Sequence, residues 1–133
     1  MRDSSHVLET VSRIYVVTMS EYIRPWGHYE VLETLPTHQV KRMIIQSGHR
    51  VSLQYHERRA EHWIIISGRG LVQLGDREQD VCPGDYICIP PRMLHRAKCV
   101  SEESLVFIEV WTGSYFGEDD IVRLEDDYAR PTH

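Results

Sequence analysis

Four side chains stand at spacings that suit a single divalent cation. Gln54 and His56 are two residues apart, Glu61 follows five residues later, and His95 closes the stretch Ile89-Pro90-Pro91-Arg92-Met93-Leu94-His95. Residues two apart on a strand face the same side, so Gln54 and His56 can aim both heads at one point. A turn at Glu57-Arg58-Arg59-Ala60 would return Glu61 on an antiparallel partner strand, opposite them. An amide oxygen, two imidazoles and a carboxylate form a mixed N/O set suited to Zn2+, with Co2+ or Mn2+ as alternatives. Such an ion can keep positions open for water or substrate and act as a Lewis acid. The neighbouring His62 falls on the opposite face by alternation and is read as a supporting residue. His6, His28, His38, His49 and His133 are read as surface histidines.

The elements that would position these groups are short strands. Val11 to Thr18, Tyr29 to Glu33, Val40 to Gln46, Val51 to Tyr55, His62 to Ser67, Gly70 to Leu74, Tyr86 to Ile89 and Leu105 to Trp111 are rich in β-branched or alternating apolar residues. Ser47-Gly48-His49, Gly68-Arg69-Gly70, Gly75-Asp76, Pro83-Gly84-Asp85 and Pro90-Pro91 punctuate them. Many short strands at close spacing with Gly/Pro turns predict an all-β barrel or sandwich. No stretch sustains a 3.6-residue apolar period, so helix is expected only as short pieces near the termini.

Composition narrows the function classes. The 133 residues carry 15 Lys+Arg against 20 Asp+Glu, a net charge of −5 that weighs against nucleic acid as the partner. At this length one domain is expected over residues 1–133. No apolar run approaches the ~20 residues of a membrane span, and the N-terminus lacks the apolar core of a signal peptide. A soluble, cytoplasmic protein is the expectation. Cys82, Cys88 and Cys99 form neither a C-x-x-C pair nor an even disulfide set. Cys88, set among Tyr86-Ile87-Cys88-Ile89, is expected to be a small buried side chain. The acidic runs Glu118-Asp119-Asp120 and Glu125-Asp126-Asp127 are read as solvated turns or caps.

The stretch Gly48 to Gly68 has the spacing G-x5-H-x-H-x4-E-x6-G with Gln54 in the first His slot, and Gly84 to His95 has G-x5-P-x-G-x2-H with Arg92 in the last Gly slot. These segments resemble the two motifs of the cupin superfamily. The flanks sharpen the resemblance: Arg24-Pro25-Trp26-Gly27, Ser52-Leu53-Gln54-Tyr55-His56, Arg59-Ala60-Glu61-His62-Trp63 and Gly117-Glu118-Asp119-Asp120-Ile121-Val122-Arg123 follow in order. That pattern is similar to the type II mannose-6-phosphate isomerases over about residues 24–130, with residues 1–23 as an N-terminal extension.

The resemblance implies a cupin-type double-stranded β-helix (jelly-roll) barrel, a homodimer, and metal-dependent interconversion of mannose 6-phosphate and fructose 6-phosphate. It makes Arg24, Arg59 and Arg123 candidate anchors for the substrate phosphate, with Arg59 first because it lies between His56 and Glu61. Trp26, Trp63 and Trp111 can pack a core or stack on a sugar. Trp63, on the Glu61 side of its strand, is the one expected to face the cavity. Glu109 is the sole charged residue in the apolar run Leu105 to Trp111 and is the candidate base, with Lys41 as alternative proton carrier or electrostatic stabiliser. In many relatives this domain follows a mannose-1-phosphate guanylyltransferase domain. The 23 residues before Arg24 hold no Gly-rich phosphate loop, so nucleotidyl transfer is expected to be absent. The same residues also suit a non-catalytic sugar-phosphate or nucleotide-sugar binding cupin, or a metal cupin acting on another sugar.

Overall fold

A computed structural model describes residues 20–128. The run Val11 to Thr18, together with His6 and His133, lies outside the described residues. Eleven strands are described: β1 (Ser20–Arg24), β2 (Gly27–Leu35), β3 (His38–Ile45), β4 (Leu53–His56), β5 (Arg59–Ser67), β6 (Gly70–Leu74), β7 (Arg77–Val81), β8 (Tyr86–Ile89), β9 (His95–Cys99), β10 (Leu105–Gly113) and β11 (Ile121–Glu125). They form a six-stranded sheet of order β1-β2-β3-β10-β5-β8 and a five-stranded sheet of order β11-β4-β9-β6-β7, every pairing antiparallel. The two sheets are the faces of a double-stranded β-helix, and the fold is all-β as expected.

Period-two alternation decides which side chains enter the barrel. Along β5, Arg59, Glu61, Trp63 and Ile65 are buried while Ile64 and Ile66 are exposed. Along β10, Leu105, Phe107, Glu109 and Trp111 are buried. Each inward row changes character along its strand. Ile65, Phe107, Leu105 and Ile45 meet Val72, Ala97 and Cys99 of the facing sheet to make a dry core at one end. Glu61, Glu109, Lys41 and His95 continue the same rows at the other end. The core pins the strands, and the pinned strands deliver polar groups to a fixed place. Trp63 joins the two halves, stacking on Phe107 with ring centroids 4.5 Å apart.

Several expectations need correction. Cys88 is exposed, because β8 sends Ile87 and Ile89 inward and Tyr86 and Cys88 outward; Cys99 is the buried cysteine. The turn after His56 is only Glu57-Arg58, so Arg59 belongs to β5 and points inward with Glu61. Asp120 is not solvated. It is buried at the end of a 3-10 turn (Glu118–Asp120), where its carboxylate accepts from the Glu57 and Arg58 amides and clamps the β4–β5 turn. Strands β1, β7, β9 and β11 are additional to those read from the sequence. β7 (Arg-Glu-Gln-Asp-Val) is an exposed edge strand with no apolar alternation to reveal it.

The motif glycines are held by geometry. Gly68 has φ +77°, and a Cβ there would lie 2.2 Å from the Ser104 carbonyl oxygen. Arg92 is the one non-glycine described residue with positive φ, at 70°. Its amide donates to the His56 carbonyl at 2.6 Å, tying the loop before β9 to β4. The backbone at this motif position therefore keeps the left-handed conformation that favours glycine.

Candidate active site

Residues from both sheets line a cavity of about 110 Å3. Glu61 and Trp63 come from β5, Glu109 and Trp111 from β10, and Lys41 from β3. Gln54 on β4, His95 on β9 and Arg123 on β11 face them from the other sheet. Gln54 sits directly between its cross-strand partners His95 and Arg123.

Three of the four predicted metal ligands cluster tightly. Donor atoms of His56, Glu61 and His95 all lie within 4.8 Å of one another, and all three residues are buried. His56 Nδ1 lies 3.3 Å from Glu61 Oε2, and His95 Nε2 lies 3.8 Å from Glu61 Oε1. The His95 ring is oriented by a bond from Nδ1–H to the Met93 carbonyl at 2.9 Å, which leaves the Nε2 lone pair facing Glu61. Gln54 donates its amide nitrogen to Ser52 Oγ at 3.0 Å, leaving its carbonyl oxygen for the cavity. The donor types and this orientation fit a first-row divalent cation.

Burial and charge tune the group. Burial drives the His56 imidazolium down to about 3, with Arg59 and His95 adding to the effect and Glu61 opposing it, so His56 is neutral at neutral pH. Burial pushes the Glu61 carboxyl up, but His95, Arg59 and His56 outweigh it and the group titrates at about 2. Trp63 Nε1 donates to Glu61 Oε1 at 3.0 Å. All three tryptophans line the cavity, and Trp63 serves the carboxylate as well as the wall.

The opposite wall holds a second ionisable pair. Lys41 and Glu109 are cross-strand neighbours, both buried. Burial, reinforced by Glu61, raises the Glu109 carboxyl to about 8, although Lys41, Trp111 and Arg59 pull it down. Burial lowers the Lys41 ammonium against the pull of Glu109 and Glu118. The ammonium lies 3.8 Å from the Trp111 ring centroid and 4.3 Å from that of Tyr29. Trp111 Nε1 donates to Glu109 Oε1.

The predicted arginines divide by depth. Arg24 and Arg123 line the cavity while half-buried, Arg24 donating to Tyr29 Oη at 3.3 Å. Arg59 is buried among the predicted ligands, and its Nη1 has no hydrogen-bond partner. His62 faces away as expected, bonded to Tyr86 Oη at 2.7 Å. His28 and His38 are half-buried rather than freely exposed, as is His49, whose Nδ1 lies 2.7 Å from Tyr128 Oη. Tyr29 and Ser52 also line the cavity and are absent from the sequence-based expectations; Glu118, expected only as part of a solvated acidic turn, lines it too. Tyr29 and Ser52 lie one strand row from predicted residues, which is the signal that could reveal them.

The family model "Mannose-6-phosphate isomerase C-terminal" matches residues 12–126. The chain belongs to this family. Among curated relatives it is 42% identical over 130 residues to the xanthan biosynthesis protein XanB of Xanthomonas campestris pv. campestris (strain B100), spanning 93% of this chain and 28% of that protein. It is 37% identical over 114 residues to a mannose-1-phosphate guanylyltransferase of Salmonella montevideo, spanning 86% of this chain and 24% of that enzyme. The chain thus spans about a quarter of the length of these relatives. Oxalate decarboxylase from Bacillus subtilis superposes with a TM-score of 0.72 at 21% identity, covering 81% of this chain and 30% of that one; this likeness shows the cupin fold. Among the described residues no helix is long and apolar enough to cross a membrane.

Proposed function

We propose that the chain is a metal-dependent aldose–ketose isomerase that interconverts mannose 6-phosphate and fructose 6-phosphate. The observation that carries this reading is a buried His56/Glu61/His95 donor cluster, of which Glu61 and His95 line the same cavity as the buried Lys41/Glu109 pair. Gln54, His56, Glu61 and His95 would hold the ion, with zinc the first choice. A divalent cation there would supply the positive charge that the two oxygens of an enediolate require.

The chain's own groups supply the rest. Isomerisation takes the proton from C2 of the aldose and returns one to C1, while the O2 hydroxyl proton passes to O1; no oxidant is needed. Burial raises the Glu109 carboxyl to about 8 in the metal-free chain; a divalent cation in the cavity would favour the carboxylate and bring the group toward the neutral range in which it can both take and return a proton. Lys41 is the second carrier, and when charged it stabilises developing negative charge. The apolar bodies of Trp63 and Trp111 restrict water around the reacting carbons. Arg24 and Arg123 line the cavity while half-buried, and their forks suit a phosphate dianion. We assign the anchor role to these two, and to Arg59 a role at the buried end.

The test is a coupled assay for fructose 6-phosphate, using chelator-treated protein resupplied with Zn2+, Co2+ or Mn2+. Turnover that depends on added metal and vanishes in Gln54→Ala/His56→Ala supports the reading. Tight binding of mannose 6-phosphate without turnover under every metal would make this a binding module instead.

A further inference from the structure

We propose that Arg59 and the divalent cation compete for the same donor atoms, so that Arg59 is a built-in competitor that sets the metal affinity of the site. The inference rests on the metal-site reading above and concerns how that site is loaded.

The bonds of Arg59 are the reason. Its Nη2 donates to His56 Nε2 at 2.7 Å, and its Nε and Nη2 both donate to Glu61 Oε2 at 3.2 Å. A neutral imidazole has one lone pair. Because Nε2 accepts from Arg59, the His56 proton resides on Nδ1, next to Glu61 Oε2. Coordination through Nε2 takes the lone pair that Arg59 now uses. Coordination through Nδ1 moves the proton to Nε2, where it would meet the Arg59 N–H head-on. By either nitrogen, His56 cannot ligate a metal while Arg59 keeps its present bond.

Glu61 repeats the conflict at one oxygen: Oε2 accepts two N–H groups from Arg59, whereas Oε1, which accepts from Trp63 Nε1, keeps a lone pair for the ion. An amine here could lose its proton to a neighbour and become neutral. A guanidinium cannot, so it must move as a charged group. The guanidinium carbon lies 3.2 Å from the Trp111 ring centroid, and the unpartnered Nη1 is a buried donor beside the cavity, a hydrogen bond that the present position of Arg59 leaves unmade. Arg59 therefore satisfies His56 and Glu61 before a metal arrives, and gives them up to it.

The experiment compares Zn2+ affinity of the full-length wild-type chain and Arg59→Met by competition with a chromogenic chelator. Arg59→Met should bind zinc at least about tenfold more tightly, since charge-assisted bonds no longer have to be broken, and its metal-free melting temperature should fall. Equal or weaker zinc binding by Arg59→Met overturns the inference and makes Arg59 an outer support for the ligands. Should that variant not fold, exchange protection of the Arg59 Nε–H in the wild type decides: zinc should abolish it, and persistence of protection in the zinc-loaded chain overturns the inference. If neither protein binds Zn2+, Co2+ or Mn2+, the metal-site reading falls and the inference with it; if both bind zinc equally, only the inference falls.

Discussion

Glu109→Gln tests the claim that the tertiary structure, by burying one carboxyl, has prepared it for proton transfer. The side chain is buried, bonded to Trp111, and titrates at about 8 against an ordinary 4.5. At about 1.4 kcal/mol per pH unit, that displacement means the folded chain resists ionising Glu109 by several kcal/mol. A raised folded-state pKa means that the native state holds its proton more tightly than the unfolded chain does. Wild-type stability contributed by this group is therefore present below 4.5 and is lost as pH rises to about 8. Glutamine keeps the shape and cannot ionise. In metal-free protein, urea unfolding of wild type and variant should give nearly equal stability at pH 4.5. The variant's advantage should then grow by about 1.4 kcal/mol per pH unit up to about pH 8 and level off above it. On the proposed function, the same substitution in the zinc-supplied chain should lower isomerase turnover by about a hundredfold or more while zinc still binds. A stability difference that does not change between pH 5 and pH 8 would refute the claimed burial effect. Turnover within a few-fold of wild type would return Glu109 to a structural role.

Other expectations follow from single observations. Arg92→Gly should stabilise the fold by about 1 kcal/mol in urea unfolding, because glycine adopts the φ of 70° without the Cβ penalty and the lost Arg92–Glu57 pair is exposed. Asp120→Ala should cost about 1–3 kcal/mol, since the Glu57 and Arg58 amides lose their acceptor and the β4–β5 turn its clamp. It should also weaken zinc binding, which calorimetry would detect. Phe107→Ala should cost about 3–5 kcal/mol by removing a ring that is 1% exposed and stacked on Trp63. Loosening Trp63 would in turn release Glu61 Oε1, so this variant should lose isomerase activity at temperatures where it remains folded.

How much is legible in the sequence depends on whether the signal is local. Alternation in β5 and β10 is strict, and by itself it puts Glu61, Trp63 and Glu109 on inward faces. The same rule misplaces Cys88, because Tyr86-Ile87-Cys88-Ile89 is apolar in both registers and only pairing with β5 decides which set faces in. β7 escapes a sequence reading since an edge strand exposed on both sides needs no apolar code. The burial of Asp120 escapes it too, since its partners, the Glu57 and Arg58 amides, lie more than sixty residues away along the chain.

Residue identity and spacing determined the candidate donor types, the metal class they would suit and the all-β architecture, and the motif strings carried the family resemblance, for these depend on local sequence and on the two-residue period of a strand. Only the folded chain decided that Lys41 opposes Glu109, that Trp63 and Trp111 each hold a carboxylate, and that Arg59 lies among the candidate donors with its charge on His56 and Glu61. Those facts arise across strands and between sheets, where through-space distance and exclusion of water set charge and proton affinity. No one-dimensional pattern encodes either.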